Sequence, residues 1–128
     1  MKINKKIVSM IEGGETVLGI EFGSTRIKSV LIGDDYNPLA SGAFDWENSR
    51  TDGIWTYPLE QIWEGLKYCY AGLARDVLEK YGVTLSRIKS LGFSAMMHGY
   101  MVFNRKGNLL TPFRTWRNNI TEPASKEL

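Results

Sequence analysis

Within one short stretch, LGIEFGSTRIK, an acid, a glycine, two hydroxyls and a lysine follow one another as Glu21, Gly23, Ser24, Thr25 and Lys28. Apolar segments enter and leave this stretch, so it reads as strand, bend, strand. Gly23 lets the main chain approach a phosphate with no Cβ in the way. Ser24 and Thr25 set hydroxyl donors beside the N–H groups of the bend, and together these make an anion-binding concavity. Lys28 adds a point charge, and Glu21 stands where a carboxylate can hold a hydrated Mg2+. Neither G-x-G-x-x-G nor G-x-x-x-x-G-K-[ST] occurs, which excludes a dinucleotide fingerprint and a P-loop. The bland alternative is an ordinary hairpin with a Gly-Ser-Thr turn.

A second group lies further on. Met97, His98 and Gly99 form one cluster, and Trp116, Arg117 and Asn118 another. Sugar sites combine an aromatic or thioether surface for the C–H face with short polar groups for hydroxyls. Met97 and Trp116 suit the first task; His98, Arg117 and Asn118 suit the second. Polar side chains crowded against a tryptophan are costly to bury without a ligand or partner. Each also has a plain structural explanation. Met96 and Met97 are common core fillers, His98 is the kind of residue that satisfies a loop, and Trp116 can simply pack. Arg114 and Arg26 read as solvated. Trp46, Trp55, Tyr57 and Trp63 read as packing, with Trp55 within reach of a pocket rim.

The surrounding pattern supplies the elements. Ile3, Ile7, Val8, Met10 and Ile11 predict a helix over 3–12, closed by Gly13 and Gly14. Strands are expected over 16–22, 27–33 and 39–46, with a turn at 34–38, making an antiparallel meander. Residues 47–57 read as a polar loop studded with aromatics. Pro58 suits the first turn of a long helix whose apolar stripe includes Leu59, Ile62, Trp63, Leu66, Tyr70, Leu73, Val77 and Leu78, ending at Gly82. The apolar centre of 88–95 predicts a buried parallel strand. Residues 101–103 and 109–110 read as a hairpin, 113–116 as a short strand, and Thr121 as the cap of a helix that the sequence follows for about one turn. That last feature leads to the expectation that the 128 residues are a piece of a longer protein.

The first stretch resembles the phosphate motif of the actin-like ATPase superfamily, D-x-G-T with a basic residue a few positions on. Here it reads Glu21, Phe22, Gly23, Ser24 and then Lys28, with Glu in place of the usual Asp. Residues 91–119 resemble the FGGY carbohydrate kinases, and within them the xylulokinase-like branch. There a Met-His-Gly turn and an aromatic-polar-acid triplet line the sugar pocket, here Met97, His98 and Gly99 and then Trp116, Arg117 and Asn118. Asn118 stands where many relatives have Asp. The resemblance runs from Thr16 to Leu128. It implies an α/β fold, a ribonuclease-H-like (actin-like ATPase) half domain whose mixed sheet joins a three-strand meander to a parallel strand. It implies that residues 1–128 are a single incomplete domain of a kinase that moves a phosphoryl group from ATP, with Mg2+, to a ketose or polyol hydroxyl. The general base, an Asp in relatives, is then expected outside these residues, and the piece alone is expected to be inactive. An actin-like filament or chaperone ATPase lacks a reason for the second group. A ribonuclease-H-like nuclease needs more converging carboxylates than Glu21 and Asp45 supply. A non-catalytic sugar-binding protein of the same fold remains the third alternative.

Composition agrees with one core-bearing domain. A net charge of +2, with 16 scattered basic residues, gives no case for nucleic acid. Lys2, Lys5 and Lys6 form the single dense basic spot and read as a solvated helix face. One cysteine, Cys69, excludes an internal disulfide and a multi-cysteine metal site. No apolar run reaches about 18 residues and no signal-peptide pattern opens the chain, so a cytoplasmic protein with no membrane partner is expected. Apolar surface left open by an incomplete domain leads to an expected homodimer.

Overall fold

The computed structural model describes residues 4–128. Helix α1 (Lys5–Gly13) starts at Asn4, whose side chain accepts from the Lys6 N–H at 3.1 Å, and ends at Gly14 in the left-handed region. Ile3, expected in that helix, and Lys2 of the basic spot lie outside the described residues. Strands β1 (Val17–Phe22), β2 (Arg26–Ile32) and β3 (Pro38–Asp45) form the meander, and β6 (Ser90–Ala95) adds to β1 in parallel. The order across the sheet is β3-β2-β1-β6. Between β3 and β6 come a small hairpin, β4 (Ser49–Thr51) and β5 (Ile54–Thr56), and the crossover helix α2 (Leu59–Tyr81). A short α3 (Glu122–Glu127) follows.

Alternation in the strands sends Leu18, Ile20, Ile27 and Leu31 to one face, where Cys69, Leu73 and Val77 of α2 meet them, all buried. Each such side chain is worth roughly 1.5–3 kcal/mol on burial. The helix sits almost on the backbone of β3: a Cβ added to Gly42 would lie 2.0 Å from the Cys69 carbonyl oxygen. Glycine at that position is what lets α2 come so close. Cys69 is enclosed there, its thiol 3.3 Å from the Ser29 hydroxyl, and burial pushes its pKa up, partly offset by that hydroxyl. The small buried hydrophobe expected from the sequence is what stands there.

Several expectations change. Residues 47–57 are the β4–β5 hairpin rather than loop, turned by Asp52 and Gly53 with φ of 50° and 79°, the left-handed pair of a tight two-residue turn. Pro58 precedes α2 in an extended conformation, so it caps the helix from outside. Trp63, Tyr70 and Leu78 face solvent, because α2 turns Gly65, Cys69, Leu73 and Val77 to the sheet. Residues 101–116 form no strand; isolated bridges join Phe103 to Leu109 and Tyr100 to Arg114. The Asn104 side chain shapes the turn between them, accepting from the N–H groups of Lys106 and Asn108. Thr121 stands at the N-cap of α3 as expected, but its hydroxyl makes no capping bond; Asn119 instead donates to the Glu122 carboxylate at 2.9 Å.

The correction with most consequence is β6. It is parallel to β1 as expected, yet all six of its residues are exposed. It is the last strand of the sheet and α2 leans on β2 and β3 instead. The sheet's opposite face carries a shallow concavity of about 750 Å³, lined among others by Val17, Gly19, Glu21, Lys28 and Val30.

Candidate functional site

Because β1 and β6 run parallel, their C-terminal ends emerge side by side, and the Met96 N–H donates to the Phe22 carbonyl at 3.2 Å. Residues 23–25 leave one strand end and residues 97–99 the other. Crevices outside the carboxyl ends of strands are where open α/β sheets hold ligands.

The bend after β1 is closed by the Gly23 N–H donating to the Arg26 carbonyl at 3.0 Å. A Cβ at Gly23 would lie 2.8 Å from that oxygen, so the turn demands glycine. The Gly23 amide is therefore spent inside the turn and is not a free anion donor, which corrects part of the expectation. The amides of Ser24 and Thr25, with their hydroxyls, have no hydrogen-bond partner among the described residues, and both residues are exposed. Glu21 and Lys28 face each other across β1 and β2, with Nζ 3.7 Å from the carboxylate, both about half exposed. Such a pair contributes at most about 1 kcal/mol, so either group is easily drawn to a ligand. Arg26 is exposed as expected, and there it pairs with the exposed Asp45 carboxylate.

Of the second group, Met97 and Trp116 are well exposed, at 73% and 55%. His98 has φ of 62°, a left-handed conformation seldom taken by a residue with a side chain. Gly99 is set against the Phe113 ring. The Arg117 guanidinium lies 3.9 Å from the centre of the Trp55 ring and donates to the Asn48 side-chain oxygen at 3.0 Å. Asn118 is mostly used up. Its Oδ1 accepts from the Trp55 N–H at 2.9 Å, while Nδ2 donates to the carbonyls of Trp55 and Thr115 at 2.8 and 3.1 Å. Both amide protons are spent and one lone pair of Oδ1 remains for a ligand.

Three residues that the sequence offered only as packing, or did not mark at all, join these segments. The Trp46 indole N–H donates to the Gly23 carbonyl at 2.8 Å. The Tyr57 hydroxyl donates to the Ser24 carbonyl at 2.5 Å, and Asn48 Nδ2 donates to that hydroxyl at 3.4 Å. The signal available in the sequence was the density of aromatics in 46–57, which does not say what they touch. An apolar cavity of about 370 Å³ lies behind the Met-His-Gly turn, lined by Phe22, Trp46, Ala95, Met96, Gly99 and Phe113. The larger concavity on the sheet face includes Glu21 and Lys28 but none of the second group. Among the described residues no three His, Cys, Asp or Glu side chains converge as a metal site. Glu21 is the hard oxygen donor next to the turn, and a single carboxylate is what a phosphate-bound, largely hydrated Mg2+ requires.

A meander joined to a parallel strand, with both loops at one end of the sheet, is the sheet of the actin-like ATPase fold, and solved structures bear this out. The model for the FGGY family of carbohydrate kinases, N-terminal domain, matches residues 16–128, and the chain belongs to that family. It is 22% identical over 117 residues to a xylulose kinase of Staphylococcus xylosus, covering 88% of this chain and 22% of that protein. It superposes on a xyloylose kinase from Brucella ovis with a TM-score of 0.76 at 20% identity, covering 88% of this chain and 23% of the other. Against Plasmodium falciparum glycerol kinase with ADP the TM-score is 0.73 at 16% identity, over 88% and 22% of the two chains. The chain thus spans less than a quarter of the length of these relatives.

Proposed function

We propose that this chain supplies the phosphate turn and part of the sugar pocket of a kinase that moves the γ-phosphoryl of ATP to a hydroxyl of a ketose or polyol, of the xylulose or ribulose kind. The observation that supports the reading is the hydrogen bond from Met96 to Phe22, which keeps the C-terminal ends of β1 and β6 together, so that both loops leave the same end of the sheet. The names of the relatives, a xylulose kinase and a glycerol kinase with ADP, support the same reading.

Phosphoryl transfer of this kind is mostly positioning and charge stabilisation. The open amides and hydroxyls of Ser24 and Thr25, in a turn that Gly23 makes possible, hold phosphate oxygens, and Lys28 adds positive charge. Glu21 would hold Mg2+ through water, and the bound ion would supply charge neutralisation. Met97 and Trp116 offer apolar surface to the sugar; His98, the Gly99 main chain, the free edge of Arg117 and the remaining Asn118 lone pair bond its hydroxyls. The hydroxyl attacks the γ-phosphorus, ADP leaves, and the hydroxyl proton passes to a carboxylate that the family resemblance puts outside residues 1–128. On this reading the chain is a single incomplete domain, acts in the cytoplasm where ATP is abundant, and does not turn over sugar by itself. Among the described residues no helix is long and apolar enough to cross a membrane.

The test is an assay of the longer polypeptide containing this chain, with ATP, Mg2+ and a panel of ketoses and polyols. Sugar-dependent ADP release with formation of a sugar phosphate is expected. ATP hydrolysis indifferent to every sugar, or turnover by the 128-residue chain alone, would overturn the reading.

A further inference from the structure

We propose that Tyr57 and Trp46 are positioning residues that aim the two open amides of the phosphate turn, and that Tyr57 ties this aim to Arg117 through Asn48. The proposal rests on the kinase reading for its consequence in catalysis, but not for its geometry.

A trans peptide is planar, with its carbonyl and the following N–H pointing in opposite directions. Holding a carbonyl therefore fixes where the next residue's amide points. The Trp46 indole holds the Gly23 carbonyl at 2.8 Å, which sets the direction of the Ser24 N–H. The Tyr57 hydroxyl holds the Ser24 carbonyl at 2.5 Å, which sets the direction of the Thr25 N–H. These are the two amides of the turn that have no partner of their own among the described residues. Both carbonyls are thus pulled toward the aromatic side, and both donors are turned away from it. Fixed donors are worth more to a developing negative charge than donors that must reorient.

The holders are themselves rigid. Tyr57 is fully buried and stacks on Trp46 with ring centres 4.3 Å apart, while Phe113 closes in at 5.9 Å. The Tyr57 hydroxyl also accepts from Asn48, whose side-chain oxygen in turn accepts from Arg117 at 3.0 Å. One unbroken line of hydrogen bonds therefore runs from the Thr25 peptide to a guanidinium of the sugar segment. A sugar hydroxyl that draws Arg117 away from Asn48 changes what Asn48 offers to Tyr57, and so shifts the Thr25 amide. The phosphate turn senses an occupied sugar site.

Nuclear magnetic resonance on the 128-residue chain tests the geometry without ligand. Tyr57→Phe, which keeps the stacked ring, is expected to shift the Thr25 amide most, and Trp46→Phe the Ser24 amide. Asn48→Ala is expected to shift Thr25 in the native background and to add nothing to Tyr57→Phe. Turn amides indifferent to Tyr57→Phe, or an Asn48→Ala effect undiminished in its presence, would overturn the relay. In the longer polypeptide, Tyr57→Phe is expected to lower kcat roughly tenfold with the sugar KM nearly unchanged, since misaimed donors act on the transferring group. An unchanged kcat would likewise count against the relay. A native polypeptide that phosphorylates no sugar defeats the kinase reading instead, and the resonance shifts then decide the relay alone.

Discussion

Asn118 grips the peptide of Trp55 from both sides, taking its N–H at 2.9 Å and capping its carbonyl at 2.8 Å, so the end of the β4–β5 hairpin is fastened to a segment 63 residues away. The side chain that resemblance marked as a sugar contact is first of all a clasp.

Asn118→Ala is accordingly expected to cost about 2 kcal/mol, the loss of a partner by part-buried peptide groups. Asn118→Asp is expected to cost no less, because its carboxylate would face two carbonyl oxygens. Urea unfolding of the chain followed by tryptophan fluorescence gives the answer. Native stability in both variants would return Asn118 to a purely ligand-facing role.

His98 adopts a left-handed conformation that glycine takes freely, at φ of 62°. His98→Gly should therefore leave stability within about 1 kcal/mol of native. If the imidazole bonds a sugar hydroxyl, the same change raises the sugar KM of the longer polypeptide about tenfold, the worth of one such bond. Unaltered kinetics would reduce His98 to a turn former.

Asp76 anchors α2 to β3: its carboxylate accepts from the Ser41 N–H at 2.9 Å and from Lys80 at 2.7 Å. Burial pushes its pKa up, but the Lys80 ammonium and the Ser41 amide outweigh that and hold it below the ordinary 3.8. A carboxyl depressed in the folded state adds stability above its unfolded pKa and loses that increment as pH falls through the folded value. The native chain should thus lose stability below about pH 4 more steeply than Asp76→Asn, which starts out less stable at neutral pH. Parallel curves for the two, measured by thermal unfolding from pH 7 to 2.5, would remove Asp76 from this role (the pH range is roughly that over which carboxylates titrate).

Gly42→Ala places a methyl 2.0 Å from the Cys69 carbonyl oxygen, where helix backbone rather than a pliable side chain must yield. A loss of about 3 kcal/mol is expected, at the upper end of overpacking costs. An unchanged urea midpoint would mean that α2 has room to spare above β3.

Much of this was readable beforehand where pattern and fold agree. The meander, the parallel strand and α2 follow from their periods, and the turn at Gly23 from its residue types. The β4–β5 hairpin hid because its strands are three residues long with no buried alternation, although Asp52 and Gly53 were on view. The exposure of β6 was illegible for a different reason: an apolar centre reads alike whether or not a neighbour covers it. The line through Tyr57 was beyond reach altogether. It joins residues 33 apart in the chain through a main-chain carbonyl, and a carbonyl has no identity in a sequence.

The edge strand β6, SLGFSA, carries no charge, proline or bulge to repel a newcomer. Solutions concentrated for spectroscopy therefore bring copies together along a border with nothing to keep them apart, and Phe93→Lys is the simplest gatekeeper to install there. Sedimentation velocity at rising concentration should show the native chain growing heavier while that variant keeps one mass.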